Sequence, residues 1–152
     1  MTAFRTILCP TDFSELSGEA FHLAAALARD HGARLVVLHV AAPPPGVNYA
    51  EMEKALARPD GCRRELEDRL RGYAAPAGVA VEHRLAEGEP AAEVLRAAED
   101  VGCDLIVMGT HGRTWLRRAL MGSIAEQVVR RAPCPVLTIS GPARRDQPGG
   151  PP

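Results

Sequence analysis

At 152 residues, with 46% hydrophobic and 24% charged content, the chain is long enough to bury one core without metal or disulfide staples and has the balance of a soluble domain. A formal net charge of -1 provides no electrostatic footprint for nucleic acid or an anionic membrane surface. No stretch approaches the ~20 apolar residues of a membrane span, and Met1-Thr2-Ala3-Phe4-Arg5 leads toward a strand rather than a leader's apolar region, so the expected location is the cytoplasm.

The first apolar, β-branched run, Thr6 to Cys9, ends on Pro10-Thr11-Asp12-Phe13-Ser14. Ser14 is well placed to cap the helix that follows, although Asp12 could serve the same end. From Ser14 to His31 the residues Leu16, Ala20, Leu23, Ala24, Leu27 and Ala28 recur at helical spacing, and Gly32 stands where a C-cap belongs. Leu35 to Val40 is almost continuously apolar, as expected of a central strand covered on both faces. The stretch Ala41 to Arg58 contains Pro43-Pro44-Pro45-Gly46 and predicts an irregular, mobile connection.

A second helical stripe follows at Cys62, Leu66, Leu70 and Tyr73, then a strand over Val79 to Leu85. Pro90 opens a third helix marked by Ala91, Val94, Leu95 and Ala98. Leu105 to Met108 reads as another strand buried on both faces. The fourth helix starts near Ser123, carries Ile124, Val128 and Val129, and stops before Pro133; Val136 to Ile139 is the last strand. Residues 1–140 form the expected domain, and the Pro/Gly-rich tail 141–152 is expected to be disordered.

Strands alternating with helices predict a parallel sheet. Five strands with four helices, joined by right-handed crossovers, give a doubly wound α/β fold with helices on both faces. Its ligand crevice lies at strand C-terminal ends where the winding reverses. Two unusual segments fall at such ends, Pro10-Thr11-Asp12 after the first strand and a glycine loop after the fourth, which places those strands side by side.

The loop runs Gly109-Thr110-His111-Gly112, then nine residues, then Gly122-Ser123. Glycines let an anion approach the main chain, and a helix start presents unpaired N–H groups at the positive end of its dipole, so the geometry suits phosphate. Ser123 serves either as a phosphate ligand or as a plain N-cap. Arg113, Arg117 and Arg118 either neutralise phosphate or lie in a solvated loop, Arg113 being nearest the glycines. His111 is either a direct ligand contact or a packing residue. His22, His31, His39 and His83 lack metal-ligand spacing and read as structural or surface residues. Cys9, Cys62, Cys103 and Cys134 contain no C-x-x-C pair, and three lie in or beside apolar stretches, so buried reduced thiols are expected.

The loop matches neither G-x-x-x-x-G-K-[ST] nor G-x-G-x-x-G, which disfavours a P-loop NTPase and a dinucleotide-dependent dehydrogenase. The turn after the first strand has no H-x-G-H or S-G-G-x-D-S signature of adenylyl transfer. With no general base beside a water position and no paired carboxylates for two metals, no catalytic residue is assigned.

Taken together, Ile7-Leu-Cys-Pro-Thr-Asp12-Phe-Ser14, Leu38-His-Val40, Gly88-Glu-Pro90, Asp104-Leu-Ile-Val-Met-Gly-Thr-His-Gly112, Gly122-Ser123 and Cys134-Pro-Val-Leu137 resemble the universal stress protein family. The glycine spacing resembles its ATP-binding subgroup, G-x2-G-x9-G-[ST]. The resemblance implies strand order 3-2-1-4-5 and a site for ATP, ADP or AMP. It places Asp12 near the ribose and adenine, with Mg2+ as a further role, and Thr11 beside it. It sets the Val40 main chain on the adenine edge, and it gives Gly109, Gly112, Gly122, Ser123 and Ile124 to the ribose and phosphates; Met108 and Arg113 are the further nucleotide-binding candidates. It also implies a homodimer through antiparallel pairing of Val136 to Ile139. The function expected is that of a nucleotide-dependent regulator in the stress response, acting through loops 41–58 and 110–121. A weak ATPase or phosphotransferase and a nucleotide-free scaffold are the alternatives.

Overall fold

The apolar runs become a five-stranded parallel sheet in a computed structural model that describes residues 3–43, 46–58, 62–110 and 121–140. The strands are β1 (Thr6–Pro10), β2 (Arg34–Ala41), β3 (Val81–Glu87), β4 (Leu105–Gly109) and β5 (Val136–Ile139). Their order is β3-β2-β1-β4-β5, as the resemblance implies. Between them run α1 (Glu15–His31), α2 (Tyr49–Leu56), α3 (Cys62–Arg71), α4 (Pro90–Val101) and α5 (Ser123–Arg131). The winding runs from β1 to β2 and β3 on one side, then crosses to β4 and β5 on the other. The reversal therefore falls between β1 and β4, which pair through Ile7↔Leu105 and Leu8↔Ile106.

Both faces of the sheet are buried, which explains the continuous apolar strands. Ile7, Cys9, Leu35, Val37, Leu105 and Val107 pack with Ala20, Phe21, Ala24, Ala25 and Ala28 of α1 and with Leu70 of α3. Leu8, Val36, Leu38, Ile106 and Met108 point the other way, against Ala91, Val94, Ala97 and Ala98 of α4 and Ala125 and Val128 of α5. Each fully buried aliphatic side chain contributes roughly 1.5–3 kcal/mol. At the opposite end from the crevice the Asp104 carboxylate accepts from the Arg5 and Thr6 amides at 2.8 and 3.2 Å, tying the starts of β1 and β4 together.

Four features depart from the sequence reading. The connection expected to be irregular over 41–58 holds α2, whose start is a reciprocal capping box: the Asn48 side chain accepts from the Glu51 amide and the Glu51 carboxylate accepts from the Asn48 amide. Met52 and Leu56 then bury against Ala41, Leu66 and Leu85, so there are five helices among the described residues rather than four. β3 begins at Val81 rather than Val79 because a turn at Gly78 (φ 85°) commits the Val79 amide to the Pro76 carbonyl. Within α1, Leu23 is exposed while Phe21 joins the core, since the sheet-facing stripe is built on alanines and one aromatic ring. In α5 the buried stripe is Ala125 and Val128, whereas Ile124 and Val129 are exposed. None of the described helices is long and apolar enough to cross a membrane, and the tail 141–152 lies outside the described residues.

Candidate functional site at the β1/β4 switch point

Two helix starts face each other across the C-terminal ends of the strands. On the β1 side, Ser14 is the N-cap of α1 and its hydroxyl accepts from the Ser17 amide at 3.2 Å. Asp12 sits two residues earlier: its Oδ1 accepts from the Ser14 amide at 2.9 Å and from the Ser17 hydroxyl at 2.5 Å. Asp12 is thus a loop-organising carboxylate, and capping belongs to Ser14.

Phe13, between them, has φ 65°, a left-handed conformation that costs a bulky L-residue about 1–3 kcal/mol. Its surroundings hold it there. The Phe13 amide donates to the Thr11 hydroxyl at 3.0 Å, its ring lies 4.3 Å from the His39 ring, and the Arg69 guanidinium lies 4.1 Å from its centroid. Thr11 is the buried anchor of this turn. Its amide donates to the Leu38 carbonyl at 2.8 Å, its hydroxyl meets the Tyr73 hydroxyl at 2.8 Å, and its carbonyl contacts His39 Nδ1 at 2.8 Å. Because a carbonyl only accepts, Nδ1 of His39 carries the proton. Burial pushes the Tyr73 phenol above its ordinary value, partly offset by the Thr11 contact, which keeps the phenol neutral.

The β4 side is built differently. A Cβ on Gly109 would stand 2.9 Å from Leu16 Cγ, so glycine is required here by the approach of α1. The Thr110 amide donates to the Ile139 carbonyl at 3.0 Å, and the Gly122 amide donates to the Thr110 carbonyl at 2.6 Å. That bond brings together the two ends of the 111–120 segment. The N-cap of α5 is Gly122, with no side-chain cap hydrogen bond, and Ser123 is the first residue inside the helix. The plain N-cap reading of Ser123 is therefore replaced: the cap position is glycine, which has no side chain to satisfy the first-turn amides.

Between the two helix starts lies a cleft of about 260 Å3. Thr11, Asp12, Val40, Met108, Gly109, Gly122, Ser123 and Ile124 all line it. Gly112 and Arg113, together with His111, Arg117 and Arg118, lie outside the described residues. The cleft also takes Ser17, His39, Pro90 and Val94, which sequence reasoning missed. The signal for His39 is its place at the C-terminal end of an apolar strand, which it interrupts. Pro90 and Val94 read as helix opener and core stripe, and nothing local marks them as cleft walls.

Chemically, the cleft combines an apolar side (Leu38, Val40, Val94, Met108), one carboxylate at Asp12, and a helix start without a side-chain cap. Such a site can hold a flat apolar ring, hydroxyl donors and an anion at three separate points. Among the described residues no group of three His, Cys, Asp or Glu side chains could hold a metal by itself.

The thiols only partly follow expectation. Cys9 and Cys103 are buried, Cys134 is half-buried and Cys62 is exposed, because Cys62 opens α3 on its solvent side.

Known proteins share this arrangement. The sequence model of the universal stress protein family matches residues 3–140. A universal stress protein of Thermus aquaticus is 40% identical over 139 residues, covering 90% of this chain and 98% of the relative. The universal stress protein UspA from Lactobacillus plantarum has a TM-score of 0.73 at 26% identity, covering 91% of this chain and 99% of that one. A universal stress protein solved in complex with cAMP has a TM-score of 0.62 at 28% identity, with coverage of 91% and 98%. With fold and sequence in agreement over almost its whole length, the chain belongs to the universal stress protein family.

Proposed function

We propose that the chain is an adenine-nucleotide-binding regulator of the stress response. The observation that carries this reading is the start of α5, which opens on the cleft with glycine at the cap position and so without a side-chain cap hydrogen bond. Amides so placed hold phosphate at roughly 1.5–3 kcal/mol for each charged hydrogen bond. In this reading Gly109, Gly112, Gly122, Ser123 and Arg113 take the phosphates, Ile124 and Met108 the ribose and its surroundings, and Asp12 with Thr11 the ribose hydroxyls. The Val40 main chain meets the adenine edge. Support comes from the relative solved with cAMP, which is an adenine nucleotide in a chain of the same fold.

ATP is the proposed ligand, with ADP and AMP as its shorter forms. Mg2+ fits only as a phosphate-borne ion. Asp12 is the one carboxylate among the described residues lining the cleft, and a Mg2+ that keeps its waters needs no more than one or two protein carboxylates beside the phosphates. Asp12 would contact it or a water it carries. The role proposed is binding rather than turnover: occupancy shifts the chain between states by the difference in their affinity for nucleotide.

The signal is read by a homodimer in this proposal. β5 is a sheet edge, and Leu137 on it and Val129 on α5 are exposed at 38% and 44%; antiparallel pairing with a twofold mate would satisfy the free edge.

Calorimetric titration with Mg-ATP, AMP and Mg-GTP tests the central claim. Affinity for the adenine nucleotides at a Kd of about 1 μM or tighter (~8 kcal/mol), with GTP rejected, supports it. Folded protein that takes up no adenine nucleotide overturns it and leaves the scaffold alternative. Sedimentation of the wild type beside Leu137→Lys tests the dimer, which should dissociate in the variant.

A further inference from the structure

At the end of the sheet away from the cleft, Cys103 and Cys134 bring their sulfurs to 3.7 Å although 31 positions separate them in the chain. Cys103 lies between α4 and β4, and Cys134 between α5 and β5. Their backbones are neighbours for a structural reason: β4 and β5 run parallel in the register Ile106↔Val136, and the Ile106 amide donates to the Pro135 carbonyl at 3.0 Å. The remaining approach to a bond of about 2.05 Å is within reach of thiol rotation, with no change in strand pairing. We propose that Cys103 and Cys134 are a reversible dithiol–disulfide pair that staples β4 to β5 under oxidising conditions.

Hydroperoxide is the oxidant class the pair suits, because the two thiols differ in access. Cys134 is half-buried and Cys103 is 7% exposed, so Cys134 meets the oxidant first. Its sulfur takes one oxygen as the peroxide O–O bond breaks, giving a sulfenic acid and one water. The Cys103 sulfur then attacks the Cys134 sulfur, the S–O bond breaks, the S–S bond forms and a second water leaves with the Cys103 proton. Two thiols are oxidised by two electrons and one hydrogen peroxide is reduced to two waters; an external dithiol reverses the bond by exchange. Burial, the neighbouring sulfur and the Asp104 carboxylate push the Cys103 thiol up to about 12, and burial raises Cys134 as well. Both are protonated near neutrality, so the pair responds slowly, to sustained rather than brief exposure.

The consequence is local and specific. The closed ring would contain β4 and α5, whose Met108, Gly109, Ser123 and Ile124 line the cleft.

The test starts from Cys62→Ser, which removes the exposed thiol and leaves Cys9, Cys103 and Cys134 of the original four cysteines. After hydrogen peroxide, quenching and denaturation, titratable thiols should fall from three to one. Intact mass should drop by two hydrogens and a Cys103–Cys134 peptide should appear, all reversed by dithiothreitol. Closing a ring of this length should raise Tm by roughly 5–10 °C, and that rise should be absent in Cys103→Ser and Cys134→Ser. Retention of three thiols, arrest of Cys134 at a sulfinic acid, intermolecular disulfides alone, or the same two-hydrogen loss in Cys103→Ser would each overturn the proposal.

Discussion

The two helices that open on the cleft, α1 and α5, begin at the ends of adjacent strands yet solve the same problem in opposite ways. The α1 start satisfies itself: Ser14 caps it, and Asp12 and Ser17 bond to one another and to the turn. The α5 start has a glycine cap, which supplies no side-chain hydrogen bond. A helix start leaves its first amides without intrahelical acceptors, so one side of the cleft is a finished structural element and the other is the docking edge that the proposed function requires. The difference teaches where the ligand's charge should go, and it can be broken by experiment.

The largest effect should come from filling the α5 edge. Adenine nucleotide at a hundred times its Kd should stabilise the wild type by about 2.7 kcal/mol, read as a thermal shift. Gly122→Asp supplies a side-chain cap at a residue with φ -61° and ψ 155°, which a non-glycine residue adopts without strain. That carboxylate would occupy the amides and repel phosphate, so affinity should fall at least tenfold (~1.4 kcal/mol) with the apo protein no less stable. An unchanged Kd in this variant would place the phosphates elsewhere.

The next effect belongs to the α1 side. Asp12→Ala removes the acceptor for the Ser14 amide and the Ser17 hydroxyl and should cost about 2 kcal/mol in urea denaturation without nucleotide. Asp12→Asn keeps an oxygen acceptor and should cost less, while nucleotide affinity falls in both. Equal stability in all three proteins would show that the network is not what holds the turn.

Alkaline pH probes the core beneath each helix. Burial raises Cys9, under α1, from 9.0 to about 12. The folded chain therefore holds a proton that the unfolded chain releases above its own pKa. Stability from this group is intact below pH 9, declines above it, and is spent by about pH 12. The loss should grow with pH between those values, and Cys9→Ala should flatten that limb of a Tm-versus-pH curve. A curve with the same slope in Cys9→Ala would assign the loss to other groups.

The smallest change in stability should follow Ser123→Ala. Its hydroxyl does not cap α5, so the apo protein should move by less than about 0.5 kcal/mol, whereas nucleotide affinity should fall by about 1 kcal/mol if the hydroxyl meets phosphate. A loss of stability without loss of affinity would return Ser123 to a structural role.

Much of the fold could be read from the chain, because its determinants repeat at short range. Almost continuous apolar runs at Leu35 to Val40 and Leu105 to Met108 mark the central strands, Pro90 and Gly32 mark a helix start and a helix stop, and Val136 to Ile139 coincides with β5. The α2 helix was just as local: Asn48-Tyr49-Ala50-Glu51 is a capping-box sequence, hidden by the prolines before it. The glycine spacing and the Pro10-Thr11-Asp12 turn pointed to the cleft, and eight of the ten residues singled out line it; Gly112 and Arg113 lie outside the described residues.

Sequence alone determined the five strands and four of the helices, since periodicity and caps act over a few residues, whereas packing decided which residues of α1 and α5 face the sheet. Sequence alone did not determine that Leu16 would press on Gly109, that Tyr73 and His39 would hold Thr11, or that Cys103 would meet Cys134. Those contacts join residues on different elements, and their partners are chosen by strand order and register. Only when the sheet closes as β3-β2-β1-β4-β5 do the ends of β1 and β4 become neighbours, placing a self-capped helix and a glycine-capped one around the same cleft.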